Sequence, residues 1–125
     1  MPLVKIYVRK NLTEGKLHAI SDAVHEALVA QANVPADDRF HILHRLDRDE
    51  IVAHPTYGGV NRSEEIVVIE ITLNAGRTVE IKKNLYAEIA KRLEALGVRS
   101  DDVVVSLIEV TKENWSFGGG RATYA

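Results

Sequence analysis

Apolar residues fall along this chain in two rhythms, and the pair of rhythms comes twice. Residues 2–8 (PLVKIYV) are dense in β-branched and aromatic side chains and predict a strand. Leu17, Ile20, Val24, Ala27 and Leu28 then recur at helical spacing, which predicts an amphipathic helix over 13–32. Asn11-Leu12-Thr13 supplies its turn and N-cap, with Lys16 where a capping box would carry Glu, and Pro35 stops it. Residues 39–46 (RFHILHRL) alternate apolar with polar and predict a second strand. Residues 65–73 (EIVVIEITL) predict a third strand. A second helix is expected over 76–96, with Ile81, Leu85, Ile89, Leu93 and Leu96 on one face and Gly97 as its stop. Residues 102–110 (DVVVSLIEV) close the pattern as a fourth strand. The irregular stretch 47–63 is charged and then turn-rich, with Pro55, Gly58 and Gly59; loops of that length are usually functional or mobile.

The order is an internal repeat. Asn33-Val34-Pro35-Ala36-Asp37-Asp38 leads into a strand as Gly97-Val98-Arg99-Ser100-Asp101-Asp102 does. The expected fold is therefore α+β: one domain over 1–125, built of two tandem β-α-β units (2–46 and 65–110) and an aromatic, glycine-rich tail (111–125). Parallel strands joined by right-handed crossover helices are expected within each unit. Both helices should cover one face of a four-stranded sheet. The other face is left bare, and oligomerisation is the simplest way to cover it.

Composition narrows the classes. The 125 residues are 46% hydrophobic and 27% charged, with a net charge of −2, an ordinary globular balance that offers no basic surface for nucleic acid or an anionic membrane. There is no cysteine, hence no disulfide frame, thiolate nucleophile or Cys-based metal site. No apolar run approaches the roughly 20 residues of a membrane span, and no secretory signal precedes the first strand, so a cytoplasmic location is the default. His18 and His25 lack the i, i+4 spacing of a helical metal pair, and His41 and His44 fall on opposite faces of a strand.

Candidate chemistry starts at Pro2. Removal of Met1 would turn its nitrogen from an amide into a free secondary amine, able to act as a general base, or as a general acid when protonated. A free α-amine titrates near 8, and burial or a nearby cation lowers that value by penalising the charged form. With Met1 attached, the nitrogen is an amide and no base. Arg77 follows Gly76 where the second helix is expected to open; a guanidinium beside free helix N–H groups would make an anion site. A cation at a helix N-terminus is mildly unfavourable, which hints that Arg77 is kept for another purpose.

Four segments in order along nearly the whole chain carry a resemblance: Met1-Pro2-Leu3, Val34-Pro35-Ala36-Asp37-Asp38-Arg39-Phe40, Gly76-Arg77-Thr78 and Asn114-Trp115-Ser116-Phe117-Gly118. Set on two β-α-β units, they resemble the tautomerase superfamily, in particular its double-length members such as the malonate semialdehyde decarboxylases. The resemblance implies a homotrimer and a cofactor-free site around each Pro2 amine, acting on a small carboxylate-bearing substrate. It implies that Arg77 holds the carboxylate and that Asp38 orients water or assists C–C cleavage, with Asp37 as a register alternative and a structural turn carboxylate as the plain reading. Arg39 is either a second carboxylate clamp or a salt-bridge partner. Trp115 and Phe117 would form an apolar wall that keeps Pro2 dry, or plug a subunit interface. The decarboxylases carry two arginines at the turn before the second helix; here Asn74 or Ala75 stands where the other would fall. The leading expectation is thus a tautomerase with Pro2 as base. A decarboxylase-like lyase or hydratase is the alternative, and a non-catalytic trimeric binding module that keeps Met1 is the alternative of another class.

Overall fold

A computed structural model describes residues 1–124. Strand β1 spans Leu3–Arg9, helix α1 Glu14–Gln31, β2 Phe40–Leu46, β3 Val67–Asn74, α2 Val79–Glu94 and β4 Val103–Val110. The sheet order is β2-β1-β3-β4. Strands are parallel within each unit and antiparallel where β1 meets β3. The result is the expected α+β arrangement of two β-α-β units sharing one sheet.

Alternation decides the faces. Val4, Ile6 and Val8 of β1 and Val67, Ile69 and Ile71 of β3 are fully buried and pack with Leu17, Ile20, Val24, Leu85, Ile89 and Leu93 of the helices. Burying each such aliphatic side chain is worth about 1.5–3 kcal/mol, so this single layer holds the domain together. Both helices lie on this face. On the other face Phe40, Ile42 and Ile108 remain 48%, 42% and 42% exposed. Beside them Tyr7 stacks on His44 with ring centroids 4.9 Å apart.

The repeat extends to hydrogen bonds. Asn33 and Gly97 both take the left-handed conformation (φ 56° and 85°) just past a helix. The amides of Val34 and Val98 reach back to Leu28 and Leu93, and those of Asp38 and Asp102 to Pro35 and Arg99. Non-glycine Asn33 tolerates this backbone better than most side chains.

Helix α2 starts later than the sequence suggests. Thr78 is its N-cap, its Oγ1 accepting from the Ile81 amide at 3.2 Å, while Gly76 (φ 125°) turns the chain out of β3. Arg77 therefore precedes the helix rather than opening it.

The long loop after β2 is pinned. Arg9 donates to the carbonyls of Arg48, Glu64 and Ile51 at 3.1, 3.0 and 2.7 Å. Clefts of about 340 and 390 Å³ lie beside Arg9 and Glu64, at the C-terminal end of β1 and so at the far end of the strand from Pro2. Tyr57 in this loop is 79% exposed. Among the described residues, no helix is long and apolar enough to cross a membrane.

Candidate active site

Strand directions gather the candidate residues at one end of the sheet. Leu3 pairs with Phe40 of parallel β2, so Asp38 lies beside the start of β1. Leu3 also pairs with Thr72 of antiparallel β3, so Asn74, at the end of that strand, lies there too. Pro2 is buried between them. The amine of Met1 forms an ion pair with the Asp38 carboxylate. The Met1 Sδ accepts from Asn74 Nδ2 at 2.9 Å. Burial, and then the Arg77 guanidinium, push the amine's pKa below its ordinary value, against the pull of the carboxylate in contact with it.

Arg77 reaches this cluster by folding backwards. Its Nε and Nη2 donate to the Ala32 carbonyl at 3.1 and 2.8 Å, and Nη1 donates to the Asn74 carbonyl at 3.1 Å. The guanidinium thus sits at the C-terminus of α1, where the helix dipole favours a cation. The penalty anticipated for a cation at the start of α2 does not arise, because Thr78 caps that helix and Arg77 points away from it. Three of its five N–H groups are used, and two remain for a ligand. Burial lowers the Arg77 pKa, with Glu109 partly opposing. Glu109 itself pairs with Lys82 at 2.9 Å.

The tail supplies an aromatic wall. Trp115 Nε1 donates to Asn74 Oδ1 at 2.7 Å. Its ring stacks on Phe117 at 5.3 Å, and Phe117 stacks on Phe40 at 5.6 Å. Tyr124 meets Phe117 edge-on at 5.4 Å. Arg39 is not brought to the cluster: its Nη2 donates to Ser21 Oγ and Asp22 Oδ1 at 2.8 and 2.7 Å, on α1. Asp37, the register alternative, makes no contact with the amine comparable to that of Asp38. Among the described residues, no group of three or more His, Asp or Glu side chains is placed to hold a metal ion.

The chain that places a half-buried terminal amine beside an aspartate and an arginine has relatives. Two family models described as "Tautomerase enzyme" match the chain, over residues 38–118 and 2–61. Probable tautomerase YusQ of Bacillus subtilis (strain 168) is 40% identical over 123 residues, covering 98% of this chain and 97% of its own. The chain belongs to the tautomerase family. Among solved structures of the family, FG41 malonate semialdehyde decarboxylase inhibited by 3-bromopropiolate superposes with a TM-score of 0.92 at 38% identity, over 98% of this chain and 93% of that one. A fused 4-OT, described as a wild-type symmetric trimer, shares the fold at a TM-score of 0.78 and 24% identity, over 98% of this chain and 97% of that one.

In this tautomerase-family chain the residue of the candidate site that its sequence marks least is Asn74. It bonds through its side-chain oxygen, its side-chain nitrogen and its backbone carbonyl to Trp115, Met1 and Arg77. The only sequence signal was its place in the turn where a second arginine was expected. Phe40, read as one letter of a motif, joins the aromatic wall because β2 starts beside Pro2.

Proposed function

We propose that the chain, once Met1 is removed, is a cofactor-independent tautomerase that moves a proton within a small 2-oxo or enol carboxylic acid. The observation that carries this reading is the setting of the terminal amine: half-buried, against Asp38 and in the field of Arg77. Trimming would shift the α-amine from Met1 to Pro2 at the tip of β1, a buried position, and burial disfavours the charged form of an amine. A lowered pKa leaves more of the amine neutral near pH 7, as a general base requires.

In the ketonising direction, Arg77 takes the substrate carboxylate with its two remaining N–H groups. The neutral Pro2 nitrogen accepts the enol hydroxyl proton as the C2 oxygen becomes a carbonyl. The resulting ammonium donates that proton to C3, which restores the neutral amine. Trp115, Phe117 and Phe40 exclude water and so strengthen the Arg77 contact. Asp38 holds the amine in place. Arg39, held by Ser21 and Asp22, is not assigned a carboxylate. A homotrimer is the proposed assembly; the exposed apolar sheet face supports it, and the fused 4-OT is described as one.

A lyase or hydratase of the malonate semialdehyde decarboxylase type is the second reading. It is supported by the likeness to the FG41 enzyme and by the Asp38 carboxylate beside the amine. There a protonated Pro2 would polarise the carbonyl and Asp38 would assist loss of carbon dioxide.

Ketonisation of an aryl-enolpyruvate separates the two. Loss of turnover in Pro2→Ala with retention in Asp38→Asn supports the tautomerase. Loss of all activity in Asp38→Asn, with efficient turnover of malonate semialdehyde, supports the lyase.

A further inference from the structure

We infer that Asn74 is a substrate-binding residue of this site, its side-chain N–H reading the oxygen on C2 of the acid whose carboxylate Arg77 holds. The inference rests on the tautomerase reading above and names what would distinguish a 2-oxo acid from a plain carboxylic acid.

The orientation of the amide is forced. Trp115 Nε1 is a donor only, so the Asn74 atom 2.7 Å from it must be the oxygen. The amide nitrogen is then turned to the other side, toward the chain terminus. There its partner is the Met1 sulfur at 2.9 Å, a weak acceptor. Asn74 is only 6% exposed. Removal of Met1 takes this acceptor away beside the new Pro2 amine. A buried donor without a partner costs about 1–3 kcal/mol, so a ligand oxygen there is favoured.

The pairing of a neutral donor with a cation suits one ligand class. The Asn74 carbonyl accepts from Arg77 Nη1 at 3.1 Å, so one residue fixes the neutral donor and the cation relative to each other. A 2-oxo acid carries a carboxylate and a neutral oxygen on adjacent carbons. The cation suits the first and the amide the second. A site built to bond an oxygen also rejects the analogue that lacks it, because its donor is then stranded.

Calorimetric titration of the Met1-free protein with phenylpyruvate and with 3-phenylpropionate, which lacks only the C2 oxygen, tests this. Wild type should bind phenylpyruvate about tenfold more tightly, the size of one net hydrogen bond to a desolvated donor. Asn74→Leu should bring that ratio to about one, and so should Asn74→Asp, which keeps the acceptor for Trp115 and preserves the fold if the leucine variant fails. Arg77→Ala should weaken both acids together without changing their ratio. A ratio near one in wild type, or a ratio preserved in Asn74→Asp, overturns the inference. In that outcome, Pro2-dependent turnover of an aryl-enolpyruvate by wild type leaves the tautomerase reading standing, whereas a wild type with neither turnover nor binding ends both.

Discussion

Asp38 and Asp102 occupy the same turn in the two halves of the chain but hold different partners. Each amide bonds the carbonyl three residues earlier, at 3.0 and 2.9 Å. The Asp38 carboxylate holds the Met1 amine, whereas that of Asp102, fully buried, accepts from the Ser63 amide and hydroxyl, both at 2.6 Å. One turn thus gives a structural carboxylate in the second half and a carboxylate facing the terminal amine in the first.

Asp102→Ala should therefore destabilise the fold by about 1–3 kcal/mol, because it removes two hydrogen bonds to a fully buried carboxylate. Turnover per folded molecule should be unchanged. Denaturant melts beside assays at equal folded protein check both.

Asp38→Asn should act on the amine instead. A carboxylate in contact favours the charged form, so removing its charge lowers the Pro2 pKa. The basic form then appears at lower pH, and the rising limb of the tautomerase pH–rate profile shifts to the acid side. A shift in the other direction contradicts the placing of Asp38 beside the Pro2 amine.

The helices and strands were legible in the sequence from spacing, and the repeat from the matched turns at 33–38 and 97–102. Pro2, Asp38, Arg77, Trp115 and Phe117 were named from motifs, and the topology carries Pro2, Asp38 and Arg77 to one end of the sheet. The start of α2 was not legible, since Gly76 and Thr78 both signal helix starts and only the cap geometry chooses between them. Nor was the destination of Arg77: its partners on Ala32 and Asn74 are far away in sequence or on the backbone, and leave no pattern.

Arg77 should therefore serve structure as well as the proposed binding. Arg77→Ala frees the carbonyls of Ala32 and Asn74 and should lower the melting temperature as well as kcat/KM. Hydrogen bonds to a charged group are worth about 1.5–3 kcal/mol, or roughly 10- to 150-fold in kcat/KM. Arg77→Lys keeps the charge without the fork and should recover only part of each.

A half-buried histidine should make stability fall in acid. Ser21 Oγ accepts from Arg39 Nη2 at 2.8 Å and shares a 2.7 Å hydrogen bond with His41 Nδ1. Burial first, then the charges of Arg39 and His25, with Asp22 opposing, lower the His41 pKa to about 4. The unfolded chain therefore binds the proton that the folded chain refuses between about pH 6.5 and 4. Stability should be full above that window and decline as pH falls through it. His41→Gln should flatten the decline in melts taken across the window, and an unchanged slope would show that His41 is not its source.

The bare sheet face makes the oligomer testable. Light scattering should give three times the chain mass, and Ile42→Glu, which places a charge on that face, should reduce it. A monomeric wild type contradicts the trimer.

The most direct test of Pro2 as the base compares two preparations verified by intact mass, one without Met1 and one made with methionine removal blocked. Each is assayed for ketonisation of an aryl-enolpyruvate across pH. General base catalysis contributes about 10²–10⁴-fold, so the Met1-free protein should be faster by at least a hundredfold, with a rising limb below the ordinary range of an α-amine. Equal rates in the two preparations, with the Pro2 nitrogen an amide in one of them, would contradict the account.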